Sequence, residues 1–418
     1  MKIIADLHLH SKHSRATSKQ LDIKNLERYA RIKGLDLLGT GDFTHPEWVK
    51  ELKKELVQDD GGIYKTKGGF PFVLQSEISL IYSQGGKGRR VHNVVLAPSF
   101  EVVDQITEYL KKHGRIDYDG RPIFKIPCDE FAYELKKISG DIEIIPAHVW
   151  TPWFSLFGSM SGFDSVEEAF KDQAKNIFAL ETGLSSDPAM NWRLSKLDRY
   201  SLVSSSDSHS FWPWRIGREA TIFDIDPSYK NLIKALRTKE SLQGTVEVDP
   251  SYGKYHLDGH RACNVCLDPK ESIKLKDICP KCGRKLTIGV AHRVEELADR
   301  EEGFRPRQAK DFYSLIPLSE IISNLGGYGI ATKKAWKVFD DLIRGFGNEF
   351  NVLLDVSLED LKKVVDEKLA KAIIDNRKGK IKIKPGFDGE YGVPLFDGKL
   401  EKERTEIKVS QKGLGDFC

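Results

Sequence analysis

Apolar runs that end in histidine or acidic residues recur along this chain and constrain its fold more than any other feature. The first run, residues 3–10, reads Ile-Ile-Ala-Asp-Leu-His-Leu-His, which predicts a strand that ends in two histidines. Side chains two residues apart point to the same side of a strand, so His8 and His10 can bind one ion. Later runs end in the same residue types, at Asp42, His45, Glu77, His92, His148, Asp207 and His209. Imidazole and carboxylate ligands together favour zinc, manganese or iron, whereas magnesium alone prefers oxygen ligands.

Predicted strands and helices alternate through residues 1–245. The sequence predicts strands over 35–40, 72–82, 91–95, 142–146 and 177–181, and helices over 22–31, 101–113, 129–139 and 187–197. This alternation, with ligand residues at the strand ends, is typical of β/α barrels, whose active sites lie at one end of the barrel. The glycine-rich turn at 85–88 is not a phosphate-binding loop, because no Gly-Lys-Ser/Thr follows it.

The motifs D-L-H-L-H, T-G-D-F-T-H, V-H-N, P-A-H and S-S-D-S-H resemble those of the polymerase-and-histidinol-phosphatase (PHP) domain. That resemblance covers residues 1–245 and implies a distorted β/α barrel with a multinuclear metal centre that hydrolyses phosphate esters. Together with the cysteine module and the tail described below, the whole chain resembles the archaeal endonuclease Q family. Members of that family are DNA repair nucleases that nick DNA on the 5′ side of deaminated bases.

The resemblance also implies which residues hold the metals. Two or three divalent ions are expected in the barrel, as zinc or alternatively manganese or magnesium, with Glu77, Asp207 and His209 as the catalytic residues. The implied ligand sets are His8, His10, Glu77 and Asp207 for one ion, Glu77, His92 and His148 for a second, and His209 with Asp42 and His45 for a third. Many relatives have Thr-Asp-His where this chain has Gly-Asp-Phe at 41–43. The missing imidazole could come from His45 or from His13.

Four cysteines form a second candidate metal site. Cys263 and Cys266 are paired as C-x-x-C, as are Cys279 and Cys282. This spacing predicts a structural zinc on four thiolates within a small module over 255–290. The module could contact nucleic acid or act only as a brace. The remaining histidines, His113, His256, His260 and His292, are interpreted as ordinary residues.

Two aromatic segments lie beside the predicted ligands. The first contains Trp150, Trp153 and Phe154, and the second contains Trp212 and Trp214. An enzyme that inspects a base has to unstack it, and aromatic rings offset about 1–3 kcal/mol of that cost per base. These residues therefore either line a base pocket or pack against the barrel.

A mainly helical segment is predicted over 291–398, with helices over 294–300, 318–325, 333–344 and 358–375. Near its end, Lys380, Lys382 and Lys384 fall on one face of a predicted strand. Such a row suits a DNA phosphate backbone, although lysine also protects the edge of a solvated sheet.

The tail, residues 399–418, is predicted to be flexible. Its residues Gln411, Leu414 and Phe417 are spaced like the sliding-clamp binding peptide of replication and repair proteins. Cys418 stands where that peptide usually has a second aromatic residue, which should weaken binding. The alternative interpretation is a frayed tail without a partner.

Composition limits the class of protein. A chain of 418 residues allows two or three domains, and its net charge of +3 requires any DNA binding to use local patches. No run of about 20 apolar residues predicts a membrane span, so a cytoplasmic location is expected. Many Lys and Glu residues with only 3 Met fit a thermophile.

The combined prediction is a metal-dependent DNA endonuclease. By resemblance it would cut double-stranded DNA on the 5′ side of uracil, hypoxanthine, xanthine or an abasic site, with a sliding clamp as partner. The alternatives are a small-molecule phosphatase of the histidinol-phosphatase type and a non-catalytic DNA-binding subunit.

Overall fold

The first strand lies inside a large mixed sheet of eleven strands, most of which precede residue 250. The computed structural model describes residues 1–396 of the chain. Its strands are β1 Lys2–Asp6, β2 Leu37–Gly39, β3 Val57–Gln58, β4 Tyr64–Lys65, β5 Pro71–Gln84, β6 Lys87–Ala97, β7 Ile123–Phe124, β8 Glu143–Pro146, β9 Ala179–Glu181, β10 Ser201–Val203, β11 Ala220–Asp224, β12 Leu242–Glu247, β13 Asp258–His260, β14 Val265–Leu267, β15 Asp311–Ser314, β16 Lys382–Lys384 and β17 Val393–Leu395.

Helices lie between these strands and then dominate the C-terminal third. They are α1 Ile23–Lys33, α2 Pro46–Glu55, α3 Phe100–Lys111, α4 Cys128–Ile138, α5 Val166–Phe170, α6 Pro188–Trp192, α7 Tyr229–Thr238, α8 Pro269–Lys274, α9 Val290–Leu297, α10 Leu318–Gly326, α11 Lys333–Phe346, α12 Glu349–Leu354, α13 Leu358–Leu361 and α14 Glu367–Arg377. Within residues 1–396, no helix is long and apolar enough to cross a membrane.

The barrel forms around β1, which pairs in parallel with β2 and antiparallel with β11. The sheet continues through β5, β6 and β8, where β6 is antiparallel to both neighbours. The parallel pair β9 and β10 completes the circuit, because β9 packs beside β8 and Ser208 bridges back to Leu9. This arrangement confirms the predicted α/β barrel and brings the ends of distant strands to one mouth.

Some helices are shorter in the structure than the residue ranges that the sequence predicts for them. The helix expected over 187–197 is α6 followed by a 3₁₀ segment, Ser195–Arg199. The helix expected over 358–375 divides into α13 and α14, since Asp366 caps a new helix by accepting a hydrogen bond from the backbone N–H of Leu369.

The segment that contains the four paired cysteines is completed by a β-hairpin that is distant in sequence. Strands β16 and β17 belong to the predicted helical segment, yet the loop between them returns to the cysteine module. Asp388 accepts from the backbone N–H of Arg261 and from the Thr287 hydroxyl, and Leu257 forms a bridge with Phe387. Part of residues 382–396 therefore packs against the module predicted over 255–290.

A buried ion pair joins the barrel to the C-terminal helices. Lys33 at the end of α1 donates to Glu349 Oε1 at 2.8 Å and to the Pro213 carbonyl at 2.9 Å. The same glutamate oxygen accepts from the backbone N–H of Leu318. Neither charged side chain is more than 1% exposed. This buried ion pair thus holds α1 and the loop at Pro213 against the C-terminal helices, and water does not reach its charges.

Replacing Lys33 by Met should lower the free energy of unfolding by about 3–5 kcal/mol, because it leaves the Glu349 carboxylate buried without its cation. Urea denaturation of the full chain measures this loss. The exposed pair of Lys53 and Asp104 provides the control, where Lys53→Met should cost at most about 1 kcal/mol. The double variant Lys33→Met/Glu349→Leu should recover much of the loss. Equal costs for the two single lysine variants would contradict the role of burial.

Candidate active site

Four side chains from three parts of the barrel converge at its mouth. The ligand atoms of His8, His10, Glu77 and Asp207 lie within 4.8 Å of one another. His10 Nε2 is 3.1 Å from Asp207 Oδ1 and 3.4 Å from Glu77 Oε2, and His8 Nε2 is 3.6 Å from both acids. All but Asp207 are fully buried, and Asp207 is 26% exposed toward solvent. Two imidazoles and two carboxylates around one point form a ligand set suited to zinc or manganese.

Glu77 belongs to a second group with His92 and His148. Its Oε1 lies 2.8 Å from His92 Nδ1 and 3.2 Å from His148 Nε2. The other oxygen of the same carboxylate faces His10 and Arg121. Glu77 comes from the middle of the long strand β5, and His92 stands beside it on the antiparallel strand β6. One carboxylate therefore has the position required to bridge two ions.

Outer hydrogen bonds fix the histidine rings so that one nitrogen of each faces a ligand group. His8 Nδ1 lies 3.0 Å from Glu181, His10 Nδ1 lies 3.0 Å from Asp42, and His148 Nδ1 lies 3.0 Å from the Thr151 hydroxyl. Such contacts set the tautomer and direction of a metal-binding imidazole. His8 Nε2 is buried and has no hydrogen-bond partner among the described residues. A metal ion would provide the partner that this nitrogen lacks, so the residues fit the group.

The electrostatics of the site keep its acids charged. Burial alone would raise the pKa of Glu77, but His92 and Arg121 hold that pKa well below its ordinary value. The pKa of Asp207 is likewise held low against burial, chiefly by His8. Burial also lowers the pKa of His92 to about 4, so this imidazole is neutral near pH 7. Against the effect of burial, the neighbouring acids raise the pKa of His8, His10 and His148. Metals bind charged carboxylates and neutral imidazole, so metal binding would release protons from these three rings.

The backbone is strained where three site residues leave their strands. Asp42, His148 and Asp207 all have positive φ angles, of 47°, 31° and 46°. Such conformations cost about 1–3 kcal/mol each and concentrate at functional sites. Gly183 permits the turn at His148, because a Cβ atom at position 183 would lie 2.4 Å from the histidine Cβ.

The predicted third ligand set is not formed among the described residues. The Asp42 carboxylate already accepts from the Ser11 N–H and hydroxyl, both at 2.6 Å, and from Ser14 at 2.9 Å. It therefore orients His10 and is not directed at an ion. His45 stacks on His13 with ring centroids 4.3 Å apart and joins no ligand group. The prediction of Asp42 and His45 as ligands differs from the structure for this reason.

His209 lies at the edge of the site. Its ring packs against His10 with centroids 4.3 Å apart, and its Nδ1 lies 3.1 Å from the Asp207 carbonyl oxygen. Burial, followed by the nearby His10, lowers the pKa of His209 to about 4. It is therefore a neutral imidazole at the mouth, better suited to bind a metal than to donate a proton at pH 7.

Glu181 and Arg121 are site residues that sequence reasoning missed. Glu181 ends β9, so the strand-end pattern that identified the other acids could have identified it as well. Arg121 lies in a loop without apolar periodicity, and its Nη1 lies 3.1 Å from Glu77 Oε2. No local sequence signal distinguishes Arg121 from the many other arginines of the chain.

The predicted aromatic residues divide into buried and accessible ones. Trp150 is fully buried and donates to Asn191 Oδ1 at 2.8 Å, so it belongs to the core and not to a DNA contact. Trp212 and Trp214 stack face to face and pack against Trp336 of α11, which makes them part of the contact between the barrel and the C-terminal helices.

The other two aromatics of the first segment lie at the mouth. Trp153 is 39% exposed, and the ring of Phe154 lies 4.8 Å from the ring of His92. Lys380, Lys382 and Lys384 are exposed to solvent, whereas Ile383 between the last two is partly buried. These positions leave both aromatics and all three lysines available for DNA.

The cysteine module gathers a ligand group that differs from the prediction. The ligand atoms of His260, Cys263, Cys279 and Cys282 lie within 4.8 Å of one another. Cys266 is exposed on β14 and stands outside this group. His260, interpreted from the sequence as ordinary, takes the fourth position because β13 places it beside the knuckle, with its Nδ1 3.3 Å from Cys282 Sγ. Three thiolates and one imidazole are a common structural zinc set.

A third group, Asp258, Asp277 and His292, braces the module. Asp258 is fully buried and accepts from Ser272, from His292 Nδ1 at 2.6 Å and from the Gly289 N–H at 2.7 Å. These hydrogen bonds tie α8 and α9 to β13. They provide partners for both oxygens of the buried Asp258 carboxylate, so its burial does not require a metal ion.

Two further buried acids lie behind the active site. Glu247 accepts from Thr182, the neighbour of Glu181, at 3.1 Å, and from Ser204 at 2.9 Å. Burial raises its pKa to about 8, and it also raises the pKa of nearby Glu219 well above the ordinary value. A carboxyl group whose pKa is raised in the folded state costs stability as pH rises from its unfolded pKa to its folded pKa.

Replacing Glu247 by Gln should therefore stabilise the protein at alkaline pH relative to the native chain. The difference in the free energy of unfolding should be small at pH 5 and reach on the order of 2 kcal/mol at pH 8, since glutamine cannot ionise. Urea midpoints measured from pH 5 to pH 9 test this. A difference that does not change with pH would contradict the raised pKa.

Comparison with known proteins adds independent information. A family model described as the MJ0043 C-terminal domain matches residues 317–380. MJ0043 of Methanocaldococcus jannaschii, an uncharacterized protein, is 34% identical over 308 residues, which cover 71% of this chain and 37% of MJ0043. This chain thus spans little more than a third of that relative. The uncharacterized protein YqxK of Bacillus subtilis is 31% identical over 414 residues, covering 94% of this chain and 98% of YqxK.

Two solved structures are similar over nearly the full length. The lesion-specific endonuclease PfuEndoQ from Pyrococcus furiosus is 33% identical with a TM-score of 0.86, covering 97% of this chain and 98% of that structure. Endonuclease Q in complex with a 27-mer duplex that carries an abasic lesion at the active site is also 33% identical. Its TM-score is 0.84, with 97% of this chain and 99% of that chain covered.

Proposed function

This chain belongs to the endonuclease Q family, and on that basis we propose that it is a metal-dependent DNA endonuclease that cuts beside damaged bases. The substrate is double-stranded DNA with a deaminated base (uracil, hypoxanthine or xanthine) or an abasic site, cut on the 5′ side. The observation that carries the proposal is the convergence of two ligand groups on Glu77, beside a buried His8 nitrogen without a partner. Because prokaryotic relatives keep their DNA in the cytoplasm, the enzyme is expected to act there.

The chain's own residues prepare the reaction. One divalent ion would be held by His8, His10, Glu77 and Asp207, and a second by Glu77, His92 and His148. His209, whose ring packs against His10, would add a ligand at the rim. When bound, such ions activate water and stabilise charge on phosphate oxygens. Glu181 and Asp42 keep His8 and His10 in the ligand tautomer, and the low pKa of Glu77 and Asp207 keeps both acids charged. No protein nucleophile is required.

The loop after His148 supports recognition of an unstacked base. Phe154 lies against His92 at the mouth, with the Arg90 guanidinium 5.4 Å from the Phe154 ring. Trp153 and Met160 on the same loop are 39% and 62% exposed. Aromatic and thioether side chains next to a phosphodiester site can stack on a base that leaves the duplex. We assign the base-contacting role to this loop and not to Trp150, Trp212 or Trp214.

Two further parts of the chain would contact partners. The exposed lysines 380, 382 and 384 would bind DNA phosphates. The clamp-type peptide at Gln411, Leu414 and Phe417 lies outside the described residues and remains a prediction. A pull-down of the full chain with its sliding clamp, with Phe417→Ala as the control, would test it.

A cleavage panel tests the proposed function. End-labelled duplexes that each carry one uracil, hypoxanthine, xanthine or abasic site are incubated with the protein in Mg²⁺, Mn²⁺ or Zn²⁺, next to an undamaged duplex. We expect nicks 5′ of the lesion and none in the undamaged duplex. Strong hydrolysis of p-nitrophenyl phosphate without nicking would instead support a small-molecule phosphatase. Binding without any hydrolysis would support a non-catalytic DNA-binding subunit.

A further inference from the structure

Arg121 places a permanent positive charge among the ligand groups. Its guanidinium lies 3.1 Å from Glu77 Oε2, and its side chain is 17% exposed at the barrel mouth. The Asp207 and Asp119 carboxylates add to the field at this guanidinium. This charge helps to keep the Glu77 carboxylate ionised, and it also stands where a substrate phosphate would enter the mouth.

The loop that carries Arg121 is held firmly against the site. The backbone N–H of Arg121 donates to Asp119 Oδ1, and the N–H of Gly120 donates to the His13 carbonyl at 3.1 Å. Gly120 lies so close to Asp42 that a Cβ atom there would overlap the Asp42 carboxylate. On the other side, the Pro122 carbonyl accepts from the Ser79 N–H of β5. The backbone that carries Arg121 is therefore held on both sides, and the hydrogen bond to Glu77 directs the guanidinium into the site.

The hydrogen bonds of Arg121 differ from those of a structural arginine. Arg218, which is nearby in the barrel, donates from two nitrogens to the Ser206 carbonyl. Within the described part of the chain, the Arg121 guanidinium makes one hydrogen bond, to Glu77. A guanidinium has five N–H donors in a planar fork that matches two oxygens of a phosphate. Most of the Arg121 donors are thus available to a ligand.

Metal binding would change what Arg121 faces. If ions take up the charge of Glu77, the guanidinium is left beside divalent cations, which repel it. Asp119 then remains as a carboxylate near the guanidinium, and an anionic ligand at the mouth would offset the remaining repulsion. A phosphodiester entering the mouth brings such an anion, and arginine is a common partner of phosphate oxygens whose charge grows in the transition state.

We propose that Arg121 is a phosphate-binding residue that contacts a non-bridging oxygen of the scissile phosphodiester. This inference rests on the proposed function, because it assigns a role in that reaction. It predicts that Arg121 contributes more to the rate of cleavage than to DNA affinity or metal content.

The test compares Arg121→Ala and Arg121→Lys with Arg115→Ala, a control on the same loop whose side chain is exposed and pairs with Asp117. Single-turnover nicking of the best duplex should fall about 10²–10³-fold in Arg121→Ala and less in Arg121→Lys. The metal content of the purified protein should stay within about threefold of that of the native chain. The DNA affinity, measured separately in EDTA, should stay within the same range. Guanidinium ion in solution should partly restore Arg121→Ala and leave Arg115→Ala unchanged.

Several results would overturn this inference. Nicking by Arg121→Ala within threefold of the native rate would do so, as would a loss of metal that matches the loss of activity, because Arg121 would then only neutralise Glu77. If the native chain nicks no duplex, the proposed function fails, and hydrolysis of bis(p-nitrophenyl) phosphate by the same variants still tests Arg121. An absence of both activities in the native chain would overturn the inference as well.

Discussion

Replacing Glu77 by Gln is expected to abolish cleavage, with a fall of at least about 10³-fold in the nicking rate. The glutamate is fully buried, and its two oxygens face both ligand groups, so one change weakens both at once. Glutamine keeps the shape but removes the negative charge that attracts the ions. Loss of the ions also removes the charge stabilisation that phosphodiester hydrolysis requires. Nicking assays and elemental analysis of the purified protein measure the two effects together.

The metal content separates this effect from unfolding. We expect Glu77→Gln to lose the barrel ions and to keep the single ion of the cysteine module. Glu143→Gln is the matched control, because Glu143 is equally buried but pairs with Arg237 outside the site. DNA binding measured in EDTA should be similar for both variants. Full metal content in Glu77→Gln would show that Glu77 does not bridge two ions.

The sequence could predict the parts of this site that depend on strand periodicity. His8 and His10 follow β1 two residues apart, and Asp207 follows β10, so the pattern of strand ends is sufficient to bring them together. The strand pattern could not show that the Asp42 carboxylate accepts from Ser11 and Ser14 and lies against His10 Nδ1. That difference depends on donors supplied by the loop after β1, which has no periodic signal.

Other differences between the sequence prediction and the structure also arise from contacts between residues distant in sequence. Trp150 lies two residues after His148 in the sequence, but its direction is set by Asn191 on α6, which the sequence does not place. Arg121 reaches the site through the hydrogen bonds of its loop. Residues 382–396 return to the cysteine module because Asp388 accepts from Arg261 and Phe387 bridges to Leu257. Long-range side-chain contacts decide such details, whereas the pattern of apolar runs decides the architecture.

Replacing Cys279 by Ser should remove the structural zinc and unfold the cysteine module. Among residues 1–396, the buried apolar cluster of this module consists of Val265, Cys279 and Leu286, which is too little to hold a fold without metal. Zinc binding contributes about 10–16 kcal/mol to the folding free energy of small modules of this kind. The loss of local stability in this variant should therefore exceed that of the Lys33 and Glu247 variants. Elemental analysis and limited proteolysis over residues 255–290 measure it. The barrel should keep its own ions, because no module residue belongs to either barrel group.

A pair of variants, His260→Ala and Cys266→Ser, tests whether His260 or Cys266 is the fourth zinc ligand. In the structure His260 lies within the ligand group and Cys266 is exposed outside it. We therefore expect His260→Ala to lose most of its zinc and Cys266→Ser to retain it. The reverse result would establish four thiolates, as the C-x-x-C spacing predicts, and would require Cys266 to turn toward the ion. Because His260 and Cys266 lie on the two strands of one short hairpin, such a turn would move the loop at Asn264 and leave the barrel unchanged.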